Sequence, residues 1–119
     1  MKFKVWIVAV LGITSCYYDN EESLYPPNPS VKIENVSYSK DVVPILQANC
    51  YVCHASSVRL GTIDVEGYDD VKILADNGRL LGAISHSPNF KPMPQGNAKL
   101  PSILIKKIEI WILEGTKNN

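Results

Sequence analysis

The sequence predicts an all-α domain, because two segments carry apolar residues at helical spacing and the segment between them has the pattern of two short helices. In the first segment, Val42, Leu46 and Cys50 recur at every fourth position. The corresponding stripe of the last segment is formed by Leu104, Ile108, Trp111 and Ile112. A chain of 119 residues has room for one domain of this kind, with short extensions.

The first helix is expected to begin with Asp41 as its N-cap, since a carboxylate oxygen can accept hydrogen bonds from the free N–H groups of a first turn. Pro44 then falls at the third helical position, where its missing N–H costs nothing. Because Val42, Leu46 and Cys50 lie on one face, the stripe that packs inward also presents Cys50.

The last helix is expected to begin at Ser102 and to end with Gly115 as its C-cap, with Trp111 in the core. Between the outer helices, "GYDDVKILADNG" and "RLLGAISH" indicate two short helices that are broken at Gly78. Tyr68 either starts the first of these and covers the core, or donates its hydroxyl to a bound group.

The N-terminus has the layout of a secretory signal in residues 1–15, with Lys2 and Lys4 followed by an apolar run of nine residues, 5–13. The stretch "ITSC" resembles the lipobox of bacterial lipoproteins, in which cleavage occurs just before a cysteine that is then acylated. That cysteine is Cys16. The alternative is an ordinary signal with Cys16 left as a free thiol, which is a liability in an exported protein.

Residues 16–36 are expected to form a lipid anchor and tether, and residues 37–119 the folded domain. The tether is acidic and then rich in proline, with Pro26, Pro27 and Pro29 favouring an extended backbone. We therefore expect an exported protein, anchored to the inner or outer membrane of a Gram-negative bacterium and facing the periplasm. Without the lipid, the same segment is a disordered tail.

The charge pattern excludes a nucleic-acid surface. Twelve basic and twelve acidic residues cancel, and no stripe of Lys and Arg occurs. Lys106 and Lys107 fit the solvated face of the last helix.

Three functions compete for the cluster "CYVCH", which places Cys50, Cys53 and His54 within five positions. A structural zinc site needs about four ligands, which the chain hardly offers, and His54 directly after Cys53 is badly placed to reach the same ion. A thioredoxin-like dithiol belongs at the start of a helix, where the dipole lowers a thiol pKa, but these cysteines follow a helix.

The third function is covalent attachment of haem. Two thiols on one helical turn can each add to a vinyl group at one edge of the porphyrin, and His54 then lies under the ring, where it can ligate the iron. C-x-x-C-H is the attachment pattern of c-type haem. Export agrees with this, since bacteria attach haem c outside the cytoplasm.

The second axial ligand has two candidates once the signal is removed, Met93 and His86. Met93 lies in "NFKPMPQGN" between Pro92 and Pro94, which stiffen the loop and keep it from becoming helical. Met93 is preferred, with His86 or an open sixth position as alternatives. Otherwise His86 is an exposed loop residue or a hydrogen-bond donor near the haem edge.

From about residue 37 to 115, the chain resembles the small single-haem cytochromes c of bacteria. The resemblance rests on the ordered set "SKDVVPILQANC", "CYVCH", the "MP" loop and a closing helix that ends in "WILEG". It implies a cytochrome c-like fold, in which the first and last helices cross beside a largely buried haem. It also implies axial ligation by His54 and Met93, and single-electron transfer.

This sequence departs from the family where many members have a Gly-Pro whose carbonyl orients the proximal histidine. Here Gly61 is not followed by proline, so the acceptor for the His54 ring N–H is unassigned. The closing helix also lacks the family's acidic opening. We expect the wall of the pocket to be apolar, and its candidate residues are Leu60, Leu80, Leu81 and Ile84. An apolar wall and a sulfur ligand both favour ferrous haem and a fairly high potential.

The expected protein is therefore a monomeric electron carrier rather than an enzyme, with one haem c and redox proteins as partners. Lys91 and Lys99 flank the Met loop and are candidates for the docking rim. The alternatives are a haem subunit of a larger oxidoreductase, and a gas sensor or peroxidase with an open sixth site.

Overall fold

The computed structural model describes residues 32–119, and every regular element within that range is helical. The all-α prediction is thus confirmed for the described domain. A π-helical turn, Tyr38–Val42, leads into the first of five α-helices, and a 3-10 turn occurs at Leu60–Thr62. The α-helices are α1 (Val43–Asn49), α2 (Tyr51–His54), α3 (Tyr68–Asp76), α4 (Arg79–Ile84) and α5 (Ser102–Leu113).

The first helical segment begins one turn earlier than expected, so the prediction of Asp41 as its N-cap is wrong. Ser37 is the cap, and its hydroxyl accepts a hydrogen bond from the Lys40 N–H. Asp41 reaches back instead, and its Oδ2 accepts from the Ser37 N–H at 3.0 Å. This reciprocal pair is a capping box stretched to four residues, which suits the wider π turn.

The core joins the first and last helical segments. Val42 and Leu46 are fully buried, as are Ile108 and Trp111 of α5. The Tyr38 ring lies 5.4 Å from the Trp111 ring, measured between centroids. The two predicted stripes therefore pack into one core cluster, and the core position of Trp111 is confirmed.

α5 begins at Ser102, as predicted, and ends in a Schellman motif. Its C-cap is Glu114, so the prediction of Gly115 as the C-cap is off by one residue. Gly115 follows with φ +94°, a conformation that glycine adopts without strain. The N–H of Gly115 donates to Ile112 O and that of Thr116 to Trp111 O, both at 3.0 Å.

Residues at the C-terminal end of the chain form hydrogen bonds with the first residues of the domain. The Glu114 carboxylate accepts hydrogen bonds from the backbone N–H groups of Asn35 and Val36, at 2.8 and 3.0 Å. Asn119 Oδ1 accepts from the Tyr38 N–H at 2.9 Å. Val36 is buried, so the packed region includes residues that precede the expected boundary at 37.

The two middle helices are separated at Gly78, whose φ is +76°, as the sequence predicts. Tyr68 is the first residue of α3, and its hydroxyl donates to Thr116 O at 2.7 Å. Its ring meets the Tyr38 ring edge-on. The structure therefore gives Tyr68 the core-covering role among its two alternatives.

The expected signal peptide, the lipidated Cys16 and the tether as far as residue 31 lie outside the described residues. Within residues 32–119, no helix combines the length and the hydropathy needed to cross a membrane.

Candidate functional site

The Cys50–His54 turn sits at a break between two helices. α1 ends at Asn49, Cys50 leaves the helical conformation with φ −124°, and α2 then covers residues 51–54. The N–H groups of Cys53 and His54 both donate to Cys50 O, at 3.1 and 2.9 Å. One tight turn therefore carries both thiols and the imidazole, because their spacing along the chain is shorter than two helical turns.

This turn forms one wall of a cavity of about 430 Å³. Ligand sites in proteins occupy roughly 300–1,000 Å³, so the cavity is large enough for a sizeable group. Its apolar wall includes Leu60, Leu80 and Ile84, as expected, whereas Leu81 is not part of it and packs against the core. The other apolar side chains that line it are Val52, Ile63, Val65, Leu74, Ala83, Phe90, Pro94 and Leu100.

Met93 lines the same cavity as Cys50, Cys53 and His54. Its backbone N–H donates to Ala83 O at 3.0 Å, which brings the Met loop against the end of α4. The tertiary structure thus gathers the predicted thiols, imidazole and thioether around one space.

His86 does not line the cavity. Its side chain is exposed, and its Nε2 lies 3.0 Å from the Met93 carbonyl oxygen. Of the two candidates for the second axial ligand, the geometry favours Met93. His86 contacts the backbone of that residue instead.

His54 has a buried ring nitrogen without a partner. Nδ1 is inaccessible to solvent and has no hydrogen-bonding partner within residues 32–119. At the predicted acceptor position, Gly61 and Thr62 both have positive φ, and neither carbonyl reaches this atom. A ligating histidine usually donates its second ring N–H. Within residues 32–119, His54 therefore has no orienting hydrogen bond, in line with the missing Gly-Pro.

The Cys50 thiol is kept neutral by its surroundings. Burial, with a smaller contribution from Cys53, raises the pKa of Cys50 to about 11. A reactive dithiol needs a lowered thiol pKa, because the thiolate is the nucleophile. The thioredoxin-like alternative therefore finds no support in this environment.

A multidentate ion site is also missing from the described part of the chain. There, no three or more His, Cys, Asp or Glu side chains are grouped so that they could hold a metal ion. Cys50, Cys53 and His54 thus do not form the tetrahedral set that structural zinc requires.

The loop after His54 is fixed by charge and hydrogen bonds. Asp64 is buried, accepts from the Glu66 N–H at 2.9 Å, and lies 3.4 Å from Arg59 Nε. The hydrogen bond from Glu66, followed by that from Ser56, holds the pKa of Asp64 below its ordinary value. A charged Asp64 therefore stabilises the loop that supplies Leu60 to the cavity.

Among the residues of this site that sequence reasoning missed, Phe90 and its packing partner Gly82 matter most for the Met loop. Phe90 lines the cavity beside the Met loop, and Gly82 of α4 lies directly beneath its ring. The only available signal was an aromatic residue three positions before Met93, which does not by itself indicate a contact with α4. Comparison with protein-family models, curated proteins and solved structures gave no match to this chain.

Proposed function

We propose that this chain is an electron carrier with one covalently attached haem c and a cytochrome c-like fold. The observation that carries the proposal is the cavity itself: Cys50, Cys53 and His54 enter it from one turn, and Met93 enters it from a distant loop. These are the two thiols, the imidazole and the thioether that such a haem needs.

The residues fit the group chemically. Half-buried Cys50, which is neutral, and its neighbour Cys53 would form the two thioether bonds. His54 would bind iron through Nε2, because Nδ1 is enclosed by protein. Met93 would supply the second axial ligand. Haem iron, when bound, supplies the one-electron ferric–ferrous couple.

The apolar wall determines how the chain would tune that couple. Around a bound haem these apolar side chains would limit the access of water and so disfavour the extra positive charge of the ferric state. As ligands, Met93 and His54, whose Nδ1 has no hydrogen-bonding partner among the described residues, would both be weak electron donors and would act in the same direction. We therefore expect a fairly high reduction potential.

A lipid at Cys16 would hold the domain at a membrane surface, where it would exchange electrons with redox proteins in brief contacts, as a monomer. Lys91 and Lys99 are both exposed beside the Met loop, which suits a docking rim for an acidic partner surface. Reversing both charges should weaken the salt dependence of partner reduction. An unchanged salt dependence would rule out this rim.

The proposal is tested by absorption spectra of the full chain matured in a host that attaches haem c, recorded after air oxidation and after reduction. We expect sharp reduced bands, haem that survives acid–acetone extraction, and the weak long-wavelength band that marks thioether ligation in the oxidised state. Haem that is extracted, or its complete absence, would overturn the proposal. Covalent haem without that band would instead support an open sixth site.

A further inference from the structure

We infer that Gly82, Ala83, His86 and Phe90 form a clamp that holds the Met93 loop against the cavity, with His86 as a positioning residue for Met93. This inference rests on the proposed function, because its effect is measured at the haem iron. Its structural basis is independent of the haem and consists of hydrogen bonds and one close packing contact.

Both hydrogen-bonding groups of the Met93 backbone are tied to the end of α4. The N–H donates to Ala83 O, and the carbonyl oxygen lies 3.0 Å from His86 Nε2. Since a carbonyl can only accept, His86 carries its proton on Nε2 and donates it. Pro94 follows and has no N–H, so it cannot donate a hydrogen bond to α4.

The backbone of His86 also indicates a specific role. α4 ends in a Schellman motif, in which the N–H of His86 donates to Ala83 O and that of Ser87 to Gly82 O. His86 occupies the left-handed position of this motif, with φ +53°. Glycine is the usual residue there, and Gly115 fills the same position after α5. A bulkier residue in a strained conformation calls for a compensating contact, and the hydrogen bond to Met93 O is that contact.

Phe90 fastens the middle of the loop. A Cβ added to Gly82 would lie 2.6 Å from two carbons of the Phe90 ring, so the ring rests directly on the helix backbone. Gly82 is buried, and Phe90 lines the cavity. The packing of Phe90 and the hydrogen bond from His86 thus fix the loop on both sides of Pro92.

A thioether is a weak iron ligand, so its occupancy depends on how well the protein holds it in place. If the loop is already restricted before Met93 binds iron, less conformational entropy is lost on ligation. An external ligand such as cyanide must displace Met93 and release the loop. Its affinity therefore reports how strongly the clamp holds Met93.

The test compares His86→Gln, His86→Asn and His86→Ala in the full, haem-loaded protein. Gln places its amide nitrogen where Nε2 lies, whereas Asn is too short to reach Met93 O but tolerates a positive φ better than Gln. We expect cyanide to bind the Asn and Ala variants about fivefold more tightly than the original protein, because each has lost one net hydrogen bond. The cyanide affinity of the Gln variant should lie within about twofold of that of the original protein. The long-wavelength thioether band should weaken in the same order.

Three results separate the possibilities. If Asn behaves best and Gln resembles Ala, only backbone conformation matters and the positioning role is wrong. Equal cyanide affinities across all variants would show that the inferred clamp is wrong, but they would not contradict the proposed function. A protein without covalent haem would overturn the proposed function and the clamp together. Gly82→Ala tests the Phe90 contact separately, and we expect it to raise cyanide affinity as well, because the ring must move.

Discussion

The Tyr38 ring is sandwiched between α3 and α5, 5.1 Å from the Tyr68 ring and 5.4 Å from that of Trp111. Trp111 is fully buried, and its Nε1 donates to Lys117 O at 2.9 Å. The pair of Tyr38 and Trp111 therefore joins the first helical segment to the last.

Trp111→Ala should lower the free energy of unfolding by about 3–5 kcal/mol, because it leaves a cavity between α5 and Tyr38. Trp111→Phe is the matched variant. It loses the hydrogen bond to Lys117 O but keeps an aromatic ring in the core, so it should lower the free energy of unfolding by less than Trp111→Ala does. Urea denaturation followed by circular dichroism measures both. Equal losses for the two variants would mean that the hydrogen bond, rather than the packing, dominates.

Tyr38→Phe should be neutral or slightly stabilising, because the Tyr38 hydroxyl is buried without a partner among the described residues. Burial raises the pKa of Tyr38 to about 12, which agrees with a hydroxyl that is removed from water and has no hydrogen-bonding partner among the described residues. Tyr68→Phe is the control, since its hydroxyl donates to Thr116 O, and it should cost about 1 kcal/mol. Comparable losses in both variants would show that Tyr38 Oη bonds to an enclosed water.

Stability should fall in acid partly through Asp41. The side chain of Lys107 donates to Asp41 Oδ1 at 2.8 Å, and this bond, together with that from the Ser37 N–H, lowers the pKa of Asp41 from its ordinary value of 3.8. A carboxyl whose pKa is lower in the folded state stabilises the fold above pH 3.8, and this contribution disappears as the pH falls through the lowered value.

Asp41→Asn should accordingly destabilise the protein by about 1 kcal/mol at neutral pH and hardly at all in strong acid. Thermal denaturation at a series of pH values measures the difference. The exposed pair of Lys106 and Glu109 provides the control, and Glu109→Gln should change little at any pH. A penalty for Asp41→Asn that persists in strong acid would show that its cause is not the carboxylate charge.

If the proposed haem function holds, Met93→Ala should remove the long-wavelength band of the oxidised protein and lower its reduction potential, because the sixth position would then be open or occupied by a stronger oxygen donor. Potentiometric titration with absorption readout measures the change. A gas sensor or peroxidase that never used Met93 would respond little to this substitution. Lys99→Ala, at an exposed site outside the cavity lining, should leave both readouts unchanged.

The elements that the sequence predicts best are those decided within a few residues. The break at Gly78 follows from one flexible residue between two short helical patterns, and the start of α5 at Ser102 follows from the apolar stripe after Pro101. The cap of the first segment was misplaced because both Ser37 and Asp41 are good capping residues. Only the π turn decided that Ser37 caps and Asp41 reaches back.

The sequence by itself determined the chemistry of the Cys50–His54 turn, since adjacent residues on one turn have to share a site. Tertiary structure decided what faces that turn. It brought Met93 into the same cavity and left His86 outside, because two hydrogen bonds and the Phe90 contact fold the loop back onto α4. Met93 lies far along the chain from the Cys50–His54 turn, so whether the two share one cavity depends on how the helices pack rather than on any local pattern.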